Sequence, residues 1–330
     1  MPYSNNTGIS LPIAVWLATD NYGGKSKANP YQISATTLLK SPRQIVLNMR
    51  AKPEDEDIDV ADIVKSRIGN AIHTAIEQAW NSPSDTLTNT LASLGISDTI
   101  AKNIVINPHP DLLTIDTIPV YLEQRAYKSL GKWTVTGEFD FVFNGQLHDF
   151  KSTGVYTYVN DTKTGDYIRQ GSIYRWLNPT KITTNKIIID FIFMDWKQSG
   201  LAMQSNYPPA QTLAEGYPLL TLADTEEFIK SKLDLIESLE LTDEAELPLC
   251  TNKELWRNSS SWKYYKSGQV TARSTKNFET ASDAYQRMAD DGNTGIVLEI
   301  KGQPTACLYC NVSNLCTQKD GFIASGDLVI

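Results

Sequence analysis

The sequence predicts an α/β protein: a mixed sheet flanked by helices, followed by a C-terminal subdomain organised by cysteines. Three observations carry this. A hairpin pattern runs from Gly137 to Lys151, an amphipathic helical pattern precedes it over 59–80, and a near-continuous apolar strand follows over 186–194. A chain of 330 residues that is 41 % hydrophobic and 21 % charged can bury a real core and is not a disordered segment. Its net charge of −8 argues against a surface that binds nucleic acid indiscriminately. No apolar run reaches the length of a membrane span and no charged-then-apolar leader is present, so a soluble, cytoplasmic protein without a membrane partner is expected. Composition shifts divide the chain into a lead with its first helix (1–50), a core (51–245) and a C-terminal subdomain (246–330).

Residues 1–30 are rich in Asn, Gly, Ser and Pro around the apolar patch Leu11–Leu17, which suits a loose lead with one short element. A short helix begins near Ile33, with Ser34 or Ala35 as its N-cap, and stops at Ser41-Pro42. The acidic stretch 52–62 reads as a solvated loop and helix start. In the helix over 59–80, Ile68, Ile72, Ala75 and Ile76 recur with helical spacing, and His73 and Glu77 are four residues apart on one face. A short helix is expected over 86–94, and Pro108-His109-Pro110 marks a loop that leaves His109 exposed. Residues 120–127 alternate as a strand pairing with the one that ends at Asp140. Glu123 and Arg125 share a face there, either near a site or in a cross-strand ion pair.

Asn144-Gly145 between alternating runs signals a type I′ hairpin, because both turn residues need positive φ. The register then pairs Phe143 with Gln146, Phe141 with His148 and Asp140 with Asp149. Glu138, Asp140, Asp149 and Lys151 fall on one face; Phe139, Phe141, Phe143, Phe150 and His148 fall on the core face. Opposed carboxylates repel unless a cation sits between them or one of them is protonated. Two acids that can hold Mg²⁺ or Mn²⁺ through oxygen, beside a lysine that can steady developing charge, suit phosphodiester hydrolysis.

Downstream, Asp166–Leu177 is helical, with Gln170 and Tyr174 four apart on one side. The strand 186–194 reads as central and buried on both faces. A helix over 224–239 has Asp224 and Glu227 at N-cap and N3 spacing. Past Pro248 come Cys250 and then Cys307, Cys310 and Cys316 as C-x2-C-x5-C, which uses all four cysteines of the chain. In a cytoplasmic protein such thiols suit Zn²⁺ or an iron–sulfur cluster before disulfides. Between Trp262 and Lys276, Lys263, Lys266 and Arg273 interleave with aromatics around a Ser267-Gly268 turn. This suits either a phosphate-tracking, base-stacking surface or simply an exposed basic hairpin.

Gly137-Glu-Phe-Asp140 followed by Asp149-Phe-Lys151 resembles the G-x-x-D … (D/E)-x-K core of the PD-(D/E)XK nuclease superfamily. The run Gly69 to Glu77 around His73, and Gln170-x-x-x-Tyr174, resemble its RecB-like branch, which includes CRISPR-associated and phage exonucleases; the likeness spans about residues 33–177. That resemblance implies a restriction-endonuclease-like core in which His73 joins Asp140 and Asp149 as Mg²⁺ or Mn²⁺ ligands and Lys151 positions water. Glu77 matches a further motif position, and Gln170 and Tyr174 are implied to contact DNA. It also implies that the cysteine triplet is a C-terminal 4Fe–4S staple. The branch usually has a further cluster cysteine before a proline near the first helix; Ser41 stands there in this chain, and Cys250 is the substitute. The expected function is a metal-dependent exonuclease acting on linear or single-stranded DNA ends, with a recombination or replication protein as a further partner. The alternatives are a structure-selective endonuclease on the same site, or a DNA-end-binding partner in recombination or CRISPR adaptation.

Overall fold

The computed structural model describes residues 3–19, 29–52 and 58–330; part of the acidic stretch and of the lead lie outside them. The chain runs β1 (Tyr3–Ser4), α1 (Leu11–Ala18), β2 (Gln32–Ser34), α2 (Ala35–Leu38), α3 (Pro42–Arg50), β3 (Ile58–Asp59), α4 (Val64–Trp80), α5 (Ser84–Ser93), α6 (Asp98–Asn103), β4 (Ile104–Ile106), β5 (Ile118–Leu130), β6 (Trp133–Phe143) and β7 (Gln146–Thr153). It continues α7 (Val155–Val159), α8 (Thr164–Leu177), β8 (Lys186–Phe193), β9 (Thr212–Pro218), α9 (Leu222–Ser238), β10 (Ser261–Tyr265), β11 (Lys276–Phe278), α10 (Ala281–Asp290), β12 (Ile296–Ile300) and α11 (Thr317–Ala324). No helix among the described residues is long and apolar enough to cross a membrane.

The described residues form two compact units, one of 3–39 and 58–234, the other of 40–52 and 235–330. These divisions fall after residues 39 and 234, where the sequence suggested 50 and 245. Non-local contacts draw the helix after Ser41 to the C-terminal residues.

The larger unit is a curled mixed sheet with helices packed on it. Its order is β4-β5-β6-β7-β8-β9, and β2 adds to β6. The β6–β7 turn has Asn144 at φ 46° and Gly145 at φ 82°, as the type I′ reading requires. Phe143 faces Gln146 and Phe141 faces His148. There the ladder ends, and the expected Asp140–Asp149 pair is corrected. On its other edge β7 pairs in parallel with β8 throughout, from Leu147–Ile187 to Thr153–Phe193. On β6 the vacated edge is taken by β2 at Thr134–Thr136. The two hairpin arms fork, and Asp140 and Asp149 sit on either side of the opening.

β8 is interior to the sheet, but only one of its faces is fully buried. Ile187, Ile189, Phe191 and Phe193 are buried, while Ile188, Asp190 and Ile192 are half-buried. The first short helix, α2, ends before Ser41-Pro42 as expected, and Ser41-Pro42 also starts α3. Ser41 accepts the Gln44 N–H, and proline is favoured at a first helical position. At α9 the cap is Thr221 rather than Asp224, because Thr221 Oγ1 accepts the Asp224 N–H at 3.1 Å. Ser34 caps α2 as expected.

α8 approaches the sheet at two glycines. A Cβ on Gly137 would lie 2.8 Å from Leu177 Cδ1 and 3.0 Å from the Tyr174 ring; one on Gly171 would lie 2.8 Å from Ile187 Cδ1. This closeness brings Gln170 within reach of β7. On the α4 side, Val120, Leu122 and Phe141 pack with Trp80, Phe143 and Phe150.

In the second unit α10 packs on a three-stranded antiparallel sheet ordered β11-β10-β12. Tyr264 is fully buried there, and its hydroxyl donates to the Thr294 carbonyl at 3.0 Å.

Gly171→Val should destabilise the protein by about 1–3 kcal/mol, because the new methyls meet Ile187 and Leu219. Urea unfolding followed by circular dichroism measures this; an unchanged midpoint would mean that α8 has room to withdraw.

Candidate metal and catalytic site

The fork gathers side chains from five elements. Asp140 Oδ2 accepts the Phe150 N–H at 2.9 Å, a donor the ladder no longer uses. The Phe150 carbonyl lies 3.0 Å from His73 Nε2. A carbonyl can only accept, so Nε2 carries the proton and Nδ1 keeps its lone pair. Nδ1 points toward Asp140 Oδ2 at 3.5 Å and Glu123 Oε1 at 3.9 Å. Burial holds the His73 pKa below its ordinary value, against the raising pull of the Phe150 carbonyl and Asp149. The ring is therefore in the neutral form that metals take.

Glu123 sits in β5 with φ 45°, a left-handed conformation that is rare for such a residue. It drops out of the ladder between the pairs Leu122–Phe141 and Gln124–Phe139. The cross-strand ion pair falls to Arg125 and Glu138, and Glu123 turns into the site. One ligand atom each from His73, Glu123 and Asp140 lie within 4.8 Å of one another. No spacing rule finds Glu123; strand alternation placed it only near the site, and a left-handed residue inside a strand has no sequence signature.

Asp149 is 1 % exposed. Its Oδ2 lies 2.5 Å from Lys151 Nζ, and its Oδ1 accepts from Gln170 Nε2 at 3.3 Å. Burial alone would lower the Lys151 pKa, but the charges of Asp149 and Asp140 outweigh it, and the ammonium persists. Burial and the Asp149 charge push Asp140 well above the carboxylate range. Glu123 is pushed to about 7 by burial and by the charges of Glu138, Glu77 and Asp149. Glu77 thus contributes a field rather than a ligand in the described group. Ionising Asp140 and Glu123 as well as Asp149 would leave more negative charge than Lys151 balances, which is the condition a divalent cation relieves.

Tyr174, which the resemblance implies as a DNA contact, lies beside Gln170. It is buried, and its hydroxyl accepts from Gln170 Nε2 at 2.8 Å. The pair steadies Asp149 from behind. His148 packs on the Phe141 ring and lies 2.8 Å from Asp190, outside the site as expected. His109 is exposed, also as expected.

In the second unit Lys263 lies on β10, and Lys266 Nζ is bound by Asp291 at 3.0 Å. Arg273 is exposed in the loop before β11. The four cysteines are free thiols. Their charges act on one another: burial, then Cys316, Cys310 and Cys250, push the Cys307 thiol to about 11. Burial also raises Cys250 and Cys310. Ser41 Oγ lies 3.2 Å from Cys250 Sγ, so Cys250 occupies in space the neighbourhood of Ser41.

No family model and no curated protein matches the chain. A solved structure described as "Crystal structure of SSO0001" is similar over 68 % of this chain and 84 % of its own, at 12 % identity and a TM-score of 0.36. That degree of likeness carries no argument about function.

Protonated Glu123 makes a directional prediction. The unfolded chain loses this proton near 4.5 and the folded one near 7. Across that window the folded state binds the extra proton, so its stability falls as pH rises, by up to about 3 kcal/mol. His73 works the other way below its ordinary pKa. The comparison is therefore between wild type and Glu123→Gln without metal. Asp140, raised as well, contributes a fall of its own, so the variant should fall less steeply than wild type between about 4.5 and 7, and parallel pH profiles of unfolding free energy would refute the assignment. Mg²⁺ protection of the wild type should strengthen as pH rises through about 7.

Proposed function

We propose that this chain is a metal-dependent deoxyribonuclease of the PD-(D/E)XK type, RecB-like, acting as an exonuclease at DNA ends. The observation that carries the reading is the convergence of His73, Glu123, Asp140, Asp149 and Lys151 on one fork of the sheet. In this reading the larger unit is a restriction-endonuclease-like core and the smaller one a cysteine-bound subdomain.

His73 Nδ1, Glu123, Asp140 and Asp149 would hold Mg²⁺ or Mn²⁺, ions that take oxygen-rich sites. When bound, the ion polarises a phosphate oxygen and lowers the pKa of water. Phe150 fixes the histidine tautomer through its carbonyl and the Asp140 rotamer through its N–H. Gln170 and Tyr174 keep Asp149 aimed at the opening. Lys151 counters Asp149 in the resting site and is placed to orient water or meet charge building on the phosphate. Lys263 and Arg273 are offered as strand contacts on the second unit. Lys266, tied to Asp291, contributes less to that surface.

For the cysteines an iron–sulfur cluster is preferred over Zn²⁺, because C-x2-C-x5-C is a looser fit to zinc spacing and resembles the C-terminal staple of RecB-like nucleases.

The test is digestion of end-labelled linear DNA and of covalently closed circles in Mg²⁺ and in Mn²⁺. Linear DNA should be consumed and circles spared. Asp149→Ala and Lys151→Ala should each lose at least about 10²-fold in rate. Cutting of circles would indicate an endonuclease. Retention of DNA without cleavage by folded, cluster-loaded protein would leave an end-binding role.

A further inference from the structure

Resting on the reading of the four cysteines as one metal or cluster site, we propose that Ser41 and Arg43 are positioning residues of that site. Ser41 donates to Cys250 and Arg43 to Cys316. Arg43 is 1 % exposed, and a buried guanidinium must have each face of its charge answered. Its Nε donates to Cys316 Sγ at 3.2 Å, its Nη1 to the Leu247 carbonyl at 3.0 Å and its Nη2 to Thr317 Oγ1 at 3.2 Å. Its Nη2 also pairs with Glu244, which in turn accepts the Thr317 N–H at 3.0 Å. Leu247 lies just before the Cys250 turn, and Thr317 follows Cys316 directly. One planar cation therefore ties together the two backbone segments that carry these cysteines.

Gln318 completes the lacing. Its Oε1 accepts the Cys250 N–H at 2.9 Å, and its Nε2 donates to the Cys250 carbonyl at 3.1 Å. Ser41 Oγ already accepts the Gln44 N–H at 3.1 Å as the α3 cap, which leaves its own proton to give. Cys250 Sγ is 3.2 Å away. A ligating thiolate has no proton, so in the loaded site the hydroxyl must be the donor. A purely structural Arg43 would account for Glu244 and Leu247, but not for an Nε aimed at a ligand sulfur. Hydrogen bonds to cysteine sulfur stabilise the more negative state of a cluster and raise its reduction potential. Partners of this kind orient ligands before the metal arrives.

The experiment compares wild type with Ser41→Ala, Arg43→Lys and Arg43→Met, all purified without oxygen. Iron and acid-labile sulfide are measured after reconstitution with ferrous iron and sulfide, and the midpoint potential by optical titration. In parallel, Co²⁺ is titrated into the metal-free chains and followed by thiolate-to-cobalt absorbance. Ser41→Ala should keep full iron content with a lower potential. Arg43→Lys keeps charge but not the fork, and should bind Co²⁺ roughly 10-fold or more weakly. Arg43→Met risks misfolding, so circular dichroism decides whether it is used; the other two variants are sufficient. Wild-type potential and Co²⁺ affinity in both would overturn the proposal. If wild type takes Co²⁺ but no iron–sulfur cluster, the cluster reading fails. The Co²⁺ affinities then decide alone: tenfold weakening supports the positioning role and equality overturns it. A wild type that takes neither overturns the cysteine-site reading and this inference with it.

Discussion

The site depends on one backbone unit, the peptide of Phe150. β7 stays paired with β8 along its length, while its pairing with β6 on the other edge ends after Phe141–His148. An abandoned N–H inside a sheet costs about 1–3 kcal/mol if nothing takes it. The Asp140 carboxylate takes it, and the carbonyl of the same residue takes His73 Nε2. A cost imposed by topology is thereby answered by two functional side chains. Their orientation follows from the sheet rather than from a flexible loop, which gives the site its rigidity.

The electrostatics follow from crowding at that opening. Like charges about 4 Å apart at an effective dielectric near 20 repel by about 4 kcal/mol. The metal-free site avoids this by protonation. Asp140 is raised by burial and by Asp149, Glu123 is raised by burial and further carboxylates, and Lys151 stays charged beside Asp149. Protons and the ammonium thus hold the places that a divalent cation would take. The neutral His73 fits the same logic, since a protonated ring would offer no lone pair. Each group is in the state that a cation could enter by displacing protons, without rearranging the backbone.

Much of this was legible in the sequence because it is local. Asn144-Gly145 specifies its turn through φ alone, and the turn fixes the register of the first two or three pairs. The helical spacing around His73 and the Gln170–Tyr174 interval survive folding because a helix preserves spacing. What was not legible is non-local. The fork depends on where β7 leaves β6 while it stays paired with β8, and on β2 pairing with β6 at Thr134–Thr136. Glu123 depends on a backbone conformation that no side-chain pattern announces. Ser41-Pro42 reads equally well as an end or a beginning, and the helix that follows declares itself only through the C-terminal segment it joins. The side of the helix that carries Tyr174 was legible but its burial was not, because periodicity assigns a face and not a depth.

The smaller unit poses a different problem of cohesion. Its three-stranded sheet leaves Ile296, Leu298 and Ile300 partly exposed, so apolar burial on that face contributes little. Small units with thin cores need cross-links. Arg43, Gln318 and Glu244 supply a polar one between the Cys250 and Cys316 segments. That lacing secures two of the four thiols. Cys307 and Cys310 enter through a short helical turn over 305–309 and the residue after it, and their thiols are raised by burial and by neighbouring sulfurs. A multivalent cation or cluster binding all four as thiolates would cross-link the segments that carry them. The hydrogen bonds make the frame; the bound group would supply the remaining cohesion.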